Sequence, residues 1–245
     1  MSEDFYIGYL PQAPAGLARR TKRTAIALIC LAMLLAVVLV LAQNPFTASA
    51  FEFGNNRNFE GTITLDPYPS LLVTRQGADQ AAPYSRYLLV APGKHGAGNL
   101  VSQFDGMRVK LDGQLIYRDA NTMIEVVPGS ISVLEKAPAP STTVKDLGEA
   151  TLTGEIVDTK CYLGVMNPGN GKVHRDCAAR CISGGIPVGF VVHGNGQVYL
   201  LTAKGGQPLS RKIIGKVAEP ITLSGKVLRI GDTRFFEVER FRQSD

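Results

Sequence analysis

The sequence is poor in the residues that most enzymes and nucleic-acid-binding proteins use. Its 245 residues include no tryptophan, three histidines and four cysteines. It contains no Ser-His-Asp order and no paired carboxylates in a suggestive context, so we expect a protein without catalytic activity. Lys and Arg are nowhere interleaved with aromatics in a run, which argues against nucleic-acid binding. After residue 51, 22 basic and 19 acidic residues leave a net charge of +3, as on an ordinary solvated surface.

One long apolar segment is present near the N-terminus. Residues 24–42 contain no charge, and 19 helical residues span about 28 Å, the thickness of a bilayer core. We therefore predict a transmembrane helix over 24–44. The small residues at 48–50 resemble a signal-peptidase site, so cleavage remains an alternative.

The charges beside this segment predict its orientation. Four basic residues precede it, and basic residues stay in the cytoplasm, so residues 1–23 are predicted to be a cytoplasmic tail and the remainder periplasmic, at a bacterial inner membrane. The tail is too short to form a core but carries Phe5, Tyr6 and Tyr9. These aromatics are candidate contacts to a polytopic membrane subunit or to the lipid headgroups.

The part after the apolar segment repeats itself. YLLVAPG at 87–93 aligns with YLLTAKG at 199–205, and 109–126 aligns with 221–238, both at an offset of 112 residues. Such a constant offset indicates an internal duplication.

Each copy is predicted to be a small curved β-sheet. Strand-type runs alternate with turn residues, and a glycine in the middle of the longest strand (Gly113 or Gly225) indicates a bulge or bend. We therefore predict a mainly β protein in which the transmembrane helix is followed by two tandem OB-like barrels, at 52–136 and 148–245. A proline-rich linker at 137–147 separates them.

The second copy is 19 residues longer between its opening Gly154 and Tyr199 than the first, and the extra stretch contains three cysteines. HRDCAARCISGG predicts a helix over about 174–182, ended by two glycines. On such a helix His174, Cys177 and Cys181 lie on one face. Cys161, at the end of a strand, can approach that face from the opposite side.

These four residues have two interpretations. Together they form a candidate Cys₃His metal site for zinc or, especially if Met166 adds a thioether, for copper. Alternatively two of Cys161, Cys177 and Cys181 form a disulfide in the oxidising periplasm and leave one thiol over. The spacing fits neither covalent haem attachment nor a Rieske centre.

The segment GEIVDTKCYLGVMNPGNGKVHRDCAARCISGGIPVGFVV, at 154–192, resembles a segment of uncharacterised bacterial membrane-anchored or exported proteins with OB-fold-like domains. In them a CA..C run followed by GGIP precedes a YLL strand. The resemblance extends over 150–240 and implies the fold and the location, and no reaction.

Two functions follow as expectations. The first is a non-catalytic accessory or assembly subunit of an inner-membrane electron-transfer complex in the respiratory chain, whose β domains bind partner subunits. The second is a periplasmic protein that handles a metal or haem with Cys161, His174, Cys177 and Cys181. A thiol–disulfide redox protein is a weaker third, because the thioredoxin-like βαβ context is missing.

Overall fold

The computed structural model describes residues 13–42, 49–75, 83–135, 143–209 and 211–243. The chain divides into two compact units, Met1–Thr47 and Ala48–Asp245. The predicted contacts Phe5, Tyr6 and Tyr9 lie outside the described residues.

The described residues of the first unit, 13–42, contain the helix α1 (Ala15–Ala42). It begins nine residues before the predicted span, because the preceding Ala, Leu, Arg and Lys residues are good helix formers. Its 18-residue apolar window has a mean hydropathy of 3.2 and no buried residue. By length and composition α1 is able to cross a membrane.

The second unit is mainly β and contains two five-stranded barrels. In the first barrel the strands pair in the cyclic order β2, β3, β4, β7, β6, with β4 and β7 parallel and the other pairs antiparallel. Such a curled sheet with one parallel pair is the predicted OB-like arrangement. The strands are β1 (Ser49–Phe51), β2 (Arg57–Thr64), β3 (Ser70–Thr74), β4 (Tyr84–Ala91), β5 (His95–Gly96), β6 (Arg108–Arg118), β7 (Asn121–Val126) and β8 (Ser132–Glu135). The short helix α2 (Gly98–Val101) lies between β5 and β6.

The second barrel has the same topology, in the closed order β10, β11, β13, β12, β9. Its strands are β9 (Val144–Asp158), β10 (Val188–Val192), β11 (Val198–Thr202), β12 (Pro220–Ile230) and β13 (Thr233–Gln243). The helix α3 (Arg175–Ser183) lies between β9 and β10.

The strand register confirms the duplication. Leu88 pairs with Met123 in the first barrel, and Leu200 pairs with Phe235 in the second, both shifted by 112 residues. The predicted bulge is present at Ser224/Gly225 in the second barrel. At Gly113 a Cβ would lie 2.2 Å from Ile124 Cγ2, so this glycine permits close packing of β6 on β7.

Two boundaries differ from the prediction. β9 begins at Val144, so the last residues of the predicted linker are already in a strand that pairs with β12. β1 lies before the predicted start of the first barrel and pairs with β6. In both places the segment pairs with a neighbouring strand, and this tertiary pairing outweighs the local composition.

The two barrels share a core in addition to their own. One buried cluster contains side chains from the first barrel, among them Leu88, Val90 and Met123, and from the second, among them Val157 and Leu200. Cys161 and Cys181 belong to this shared cluster. The cysteine segment therefore lies where the two repeats pack together.

Candidate metal centre

The cysteine segment is an excursion between two strands of the second barrel. Ten residues separate Gly61 from Leu71, whereas 36 separate the equivalent Gly154 from Phe190. The second barrel therefore has 26 more residues than the first between these two strands. Its following connection, between β10 and β11, is seven residues shorter than the one between β3 and β4. The difference is the excess of 19 residues seen in the sequence. It leaves β9 at Asp158 and returns at Val188.

Three short helical elements form the excursion. Cys161–Val165 is a π-helical turn, Lys172–His174 is a 3₁₀ turn, and α3 follows at Arg175. The helix thus lies within one residue of the prediction. It ends as predicted at the glycine pair, where the N–H of Gly184 donates to Arg180 O at 2.9 Å. Single-turn π segments are frequent at functional sites.

The excursion brings the three cysteines together. The sulfur atoms of Cys161, Cys177 and Cys181 all lie within 4.8 Å of one another. Cys161 and Cys181 are 3% and 1% exposed, whereas Cys177 is half-buried. All three are free thiols. Three thiolates bound to one zinc ion at about 2.3 Å lie about 3.8 Å apart, so a small contraction suffices to hold an ion.

His174, the predicted fourth ligand, is not a member of the group formed by the three sulfur atoms. Its Nε2 is 3.0 Å from Asp158 Oδ2, and these two residues form a second group with Cys161, whose ligand atoms also lie within 4.8 Å of one another. The predicted Cys₃His set is therefore divided into two groups that share Cys161. The reason is that His174 lies just before the first residue of α3, where its ring faces the end of β9.

Asp158 is fully buried and its orientation is fixed by the backbone. The N–H of Cys161 donates to Asp158 Oδ1 at 2.8 Å, which leaves Oδ2 facing the imidazole. Asp158 and His174 thus present a carboxylate oxygen and an imidazole nitrogen side by side, and both are zinc ligand types.

The pKa values of the Cys161 and Cys181 thiols are shifted in opposite directions. A hydrogen bond to Cys181 Sγ, aided by burial, raises the pKa of Cys161 far above its usual value. The same hydrogen bond, together with the positive charge of Lys94, lowers the pKa of Cys181. Cys181 is therefore the more acidic of the two thiols, and Cys161 is the donor in the hydrogen bond between them.

A lysine of the first repeat faces this cluster. Lys94 Nζ lies 2.7 Å from Cys177 Sγ and 3.9 Å from Cys181 Sγ. Its contact with Cys177 raises the pKa of the exposed Lys94 ammonium. The cluster is thus open to solvent on the side of Lys94 and Cys177, and closed on the side of Asp158 and His174.

The loop that carries Lys94 is fastened to the excursion at two points. Lys160, beside Cys161, is 2% exposed and donates to Ala91 O at 2.8 Å and Gly93 O at 2.7 Å, and it forms an ion pair with Glu125. At the other end of the excursion, the N–H of Gly96 donates to Gly184 O at 2.9 Å.

Sequence reasoning missed Asp158, Lys160 and Lys94. Asp158 precedes Cys161 by three residues, and a D-x-x-C spacing at a strand end could have indicated it. Lys94 gave no local signal, since it comes from the other repeat. His95, in the short strand β5, and His193, in a turn, are both exposed, and Met166 is 43% exposed.

No family model, curated protein or solved structure matches the chain. The chemistry of the site is therefore inferred from the positions of its own side chains.

Proposed function

We propose that the chain is a membrane-anchored protein whose Cys161, Cys177 and Cys181 bind one soft metal ion, zinc or copper(I). The observation that supports this most strongly is the mutual approach of the three free thiols within 4.8 Å. Thiolates favour these ions over the harder calcium and magnesium. The site has a solvent-facing edge at Cys177, so an ion can enter without unfolding of the barrels.

Metal retention by the full chain tests the proposal. The reduced protein, extracted in detergent and loaded with zinc or copper(I), is expected to retain metal at the thiols through gel filtration. Cys177→Ser removes one ligand from the half-buried position and is expected to release that ion. Cys30→Ser, in α1, is the matched control and should retain as much metal as the wild type.

The alternative of a disulfide gives an opposite result. If the protein purified without reductant retains no metal and only one of these three cysteines is titrated as a thiol after denaturation, the cluster is a disulfide with one leftover thiol. That result would reject the metal site.

The location is also a proposal. The apolar α1 supports a membrane anchor, and the basic residues before its apolar part support a cytoplasmic N-terminus with both barrels in the periplasm of a bacterial inner membrane.

The accessory-subunit function remains a second proposal, and one observation favours it. β8 pairs with β6 along one edge, and within the described ranges no strand pairs with its other edge. Val133 and Leu134, which belong to β8, are 49% and 46% exposed. An open edge with apolar side chains is able to accept a strand of a partner subunit. Extraction in a mild detergent should then recover polytopic partners, whereas a monodisperse monomer would reject this function.

A further inference from the structure

The two ligand groups share one sulfur, and we propose that they form a dinuclear zinc centre bridged by the Cys161 thiolate. One ion lies among Cys161, Cys177 and Cys181, and a second among Asp158, Cys161 and His174. This inference rests on the proposed metal site and adds a second ion to it.

The distances suit a second ion. Two ligand atoms about 2.0–2.1 Å from one zinc ion lie roughly 3.0–3.4 Å apart at bond angles of about 95–109°. His174 Nε2 and Asp158 Oδ2 lie 3.0 Å apart, with Cys161 Sγ within 4.8 Å of both. Carboxylate, imidazole and thiolate are all established zinc ligands.

The burial of these groups supports the same conclusion. Asp158 is 0% exposed, and His174 and Cys161 are each 3% exposed. Buried charges in proteins are paired or bind metals. The partners of the Asp158 carboxylate are the His174 imidazole and the Cys161 N–H. Both partners therefore belong to the residues of the proposed centre.

The charges of the ligands and of the two ions also balance. Three thiolates and one carboxylate carry four negative charges, and two divalent ions carry four positive charges. On binding, the thiol protons and the proton held between His174 and Asp158 leave to water. Two ions bridged by one thiolate are expected to lie about 3.5–4 Å apart, as in other two-metal sites.

The backbone holds the shared residue in place. A Cβ on Gly169 would lie 2.5 Å from Cys161 O, so the loop after the π-helical turn packs directly on the Cys161 backbone. The N–H of Met166 donates to that same carbonyl at 3.2 Å. Cys161 is therefore positioned between the two groups by contacts that do not depend on its sulfur.

Zinc stoichiometry of the full chain in detergent, measured under reducing conditions by mass spectrometry of the metal after desalting, tests the bridge. We expect two equivalents in the wild type. Asp158→Asn and Cys177→Ser should each retain one, and Cys161→Ser should retain close to none, because it removes a ligand from both ions. His193→Gln, in an exposed turn, is the matched control and should retain two.

The outcomes separate the two proposals. One equivalent in the wild type would overturn the dinuclear centre while the Cys₃ site stands, and no bound zinc would overturn both. One equivalent retained by Cys161→Ser would overturn the bridge.

A measurement on the wild type alone avoids dependence on the folding of variants. Cobalt(II) replaces zinc, and a thiolate bridge couples the spins of two cobalt ions. The electron paramagnetic resonance signal should therefore grow up to one equivalent and fall between one and two. A signal that grows in proportion up to two equivalents would overturn the bridge.

Discussion

At the scale of single residues, Lys160 connects the site to the first repeat. Its ammonium lies in the interior, where it is bound by Glu125, Ala91 O and Gly93 O. Loss of one partner of a buried ion pair leaves the other charge without compensation and is far more costly than loss of an exposed pair. The Lys160 side chain therefore stabilises the fold, although it is not a ligand of the proposed metal ion.

We predict that Lys160→Met lowers the free energy of unfolding by about 3–5 kcal/mol, because Glu125 and two carbonyls lose their donor. Denaturant unfolding in detergent measures this. Arg57→Met breaks the surface pair with Glu52 and is the control, with an expected loss of about 0–1 kcal/mol. Equal losses for both variants would mean that the buried pair contributes no more than a surface pair.

At the scale of elements, the end of α3 packs against the loop that presents Lys94. A Cβ on Gly184 would lie 1.9 Å from Lys94 O, and one on Gly96 would lie 2.2 Å from Gly185 O. Real Cβ atoms do not approach backbone oxygens so closely, so one backbone must move if either glycine is replaced. The two glycines therefore determine how closely the excursion approaches the first repeat.

Gly184→Ala is predicted to destabilise the barrel unit by about 1–3 kcal/mol, as other overpacked substitutions do. Thermal unfolding of the full chain measures the change. Gly215→Ala is the control, since no atom lies within 4 Å of its added Cβ. An unchanged melting temperature for Gly184→Ala would show that the loop yields without cost and that this contact does not fasten the repeats.

The helix α3 could be predicted from sequence because its signals are local: alanines in the middle and two glycines at the end. The approach of Cys161 to Cys177 and Cys181 followed from one strand end and one helix face. The contact between His174 and Asp158, by contrast, depends on the 3₁₀ turn that precedes α3. Such a detail is decided by packing against β9, which no local pattern encodes.

At the scale of the whole molecule, the duplication was predictable because equivalent residues of the two barrels keep a constant offset of 112 residues in the sequence. Leu88 and Leu200, for example, occupy the same place in their barrels. The packing of the repeats on each other was not predictable. It is formed by buried side chains such as Val90 and Val157, whose apolar character fits any core equally well. Lys94 reaches the thiols only because of that packing, so this contact had no signal either.

Binding of a metal ion by Cys161, Cys177 and Cys181 can be observed at the ion itself. X-ray absorption at the zinc edge of the zinc-loaded full chain tests it most directly. We expect a shell of sulfur neighbours at about 2.3 Å from the zinc ion, and we expect fewer of them in Cys177→Ser. A first shell composed only of nitrogen and oxygen at about 2.0–2.1 Å would contradict it.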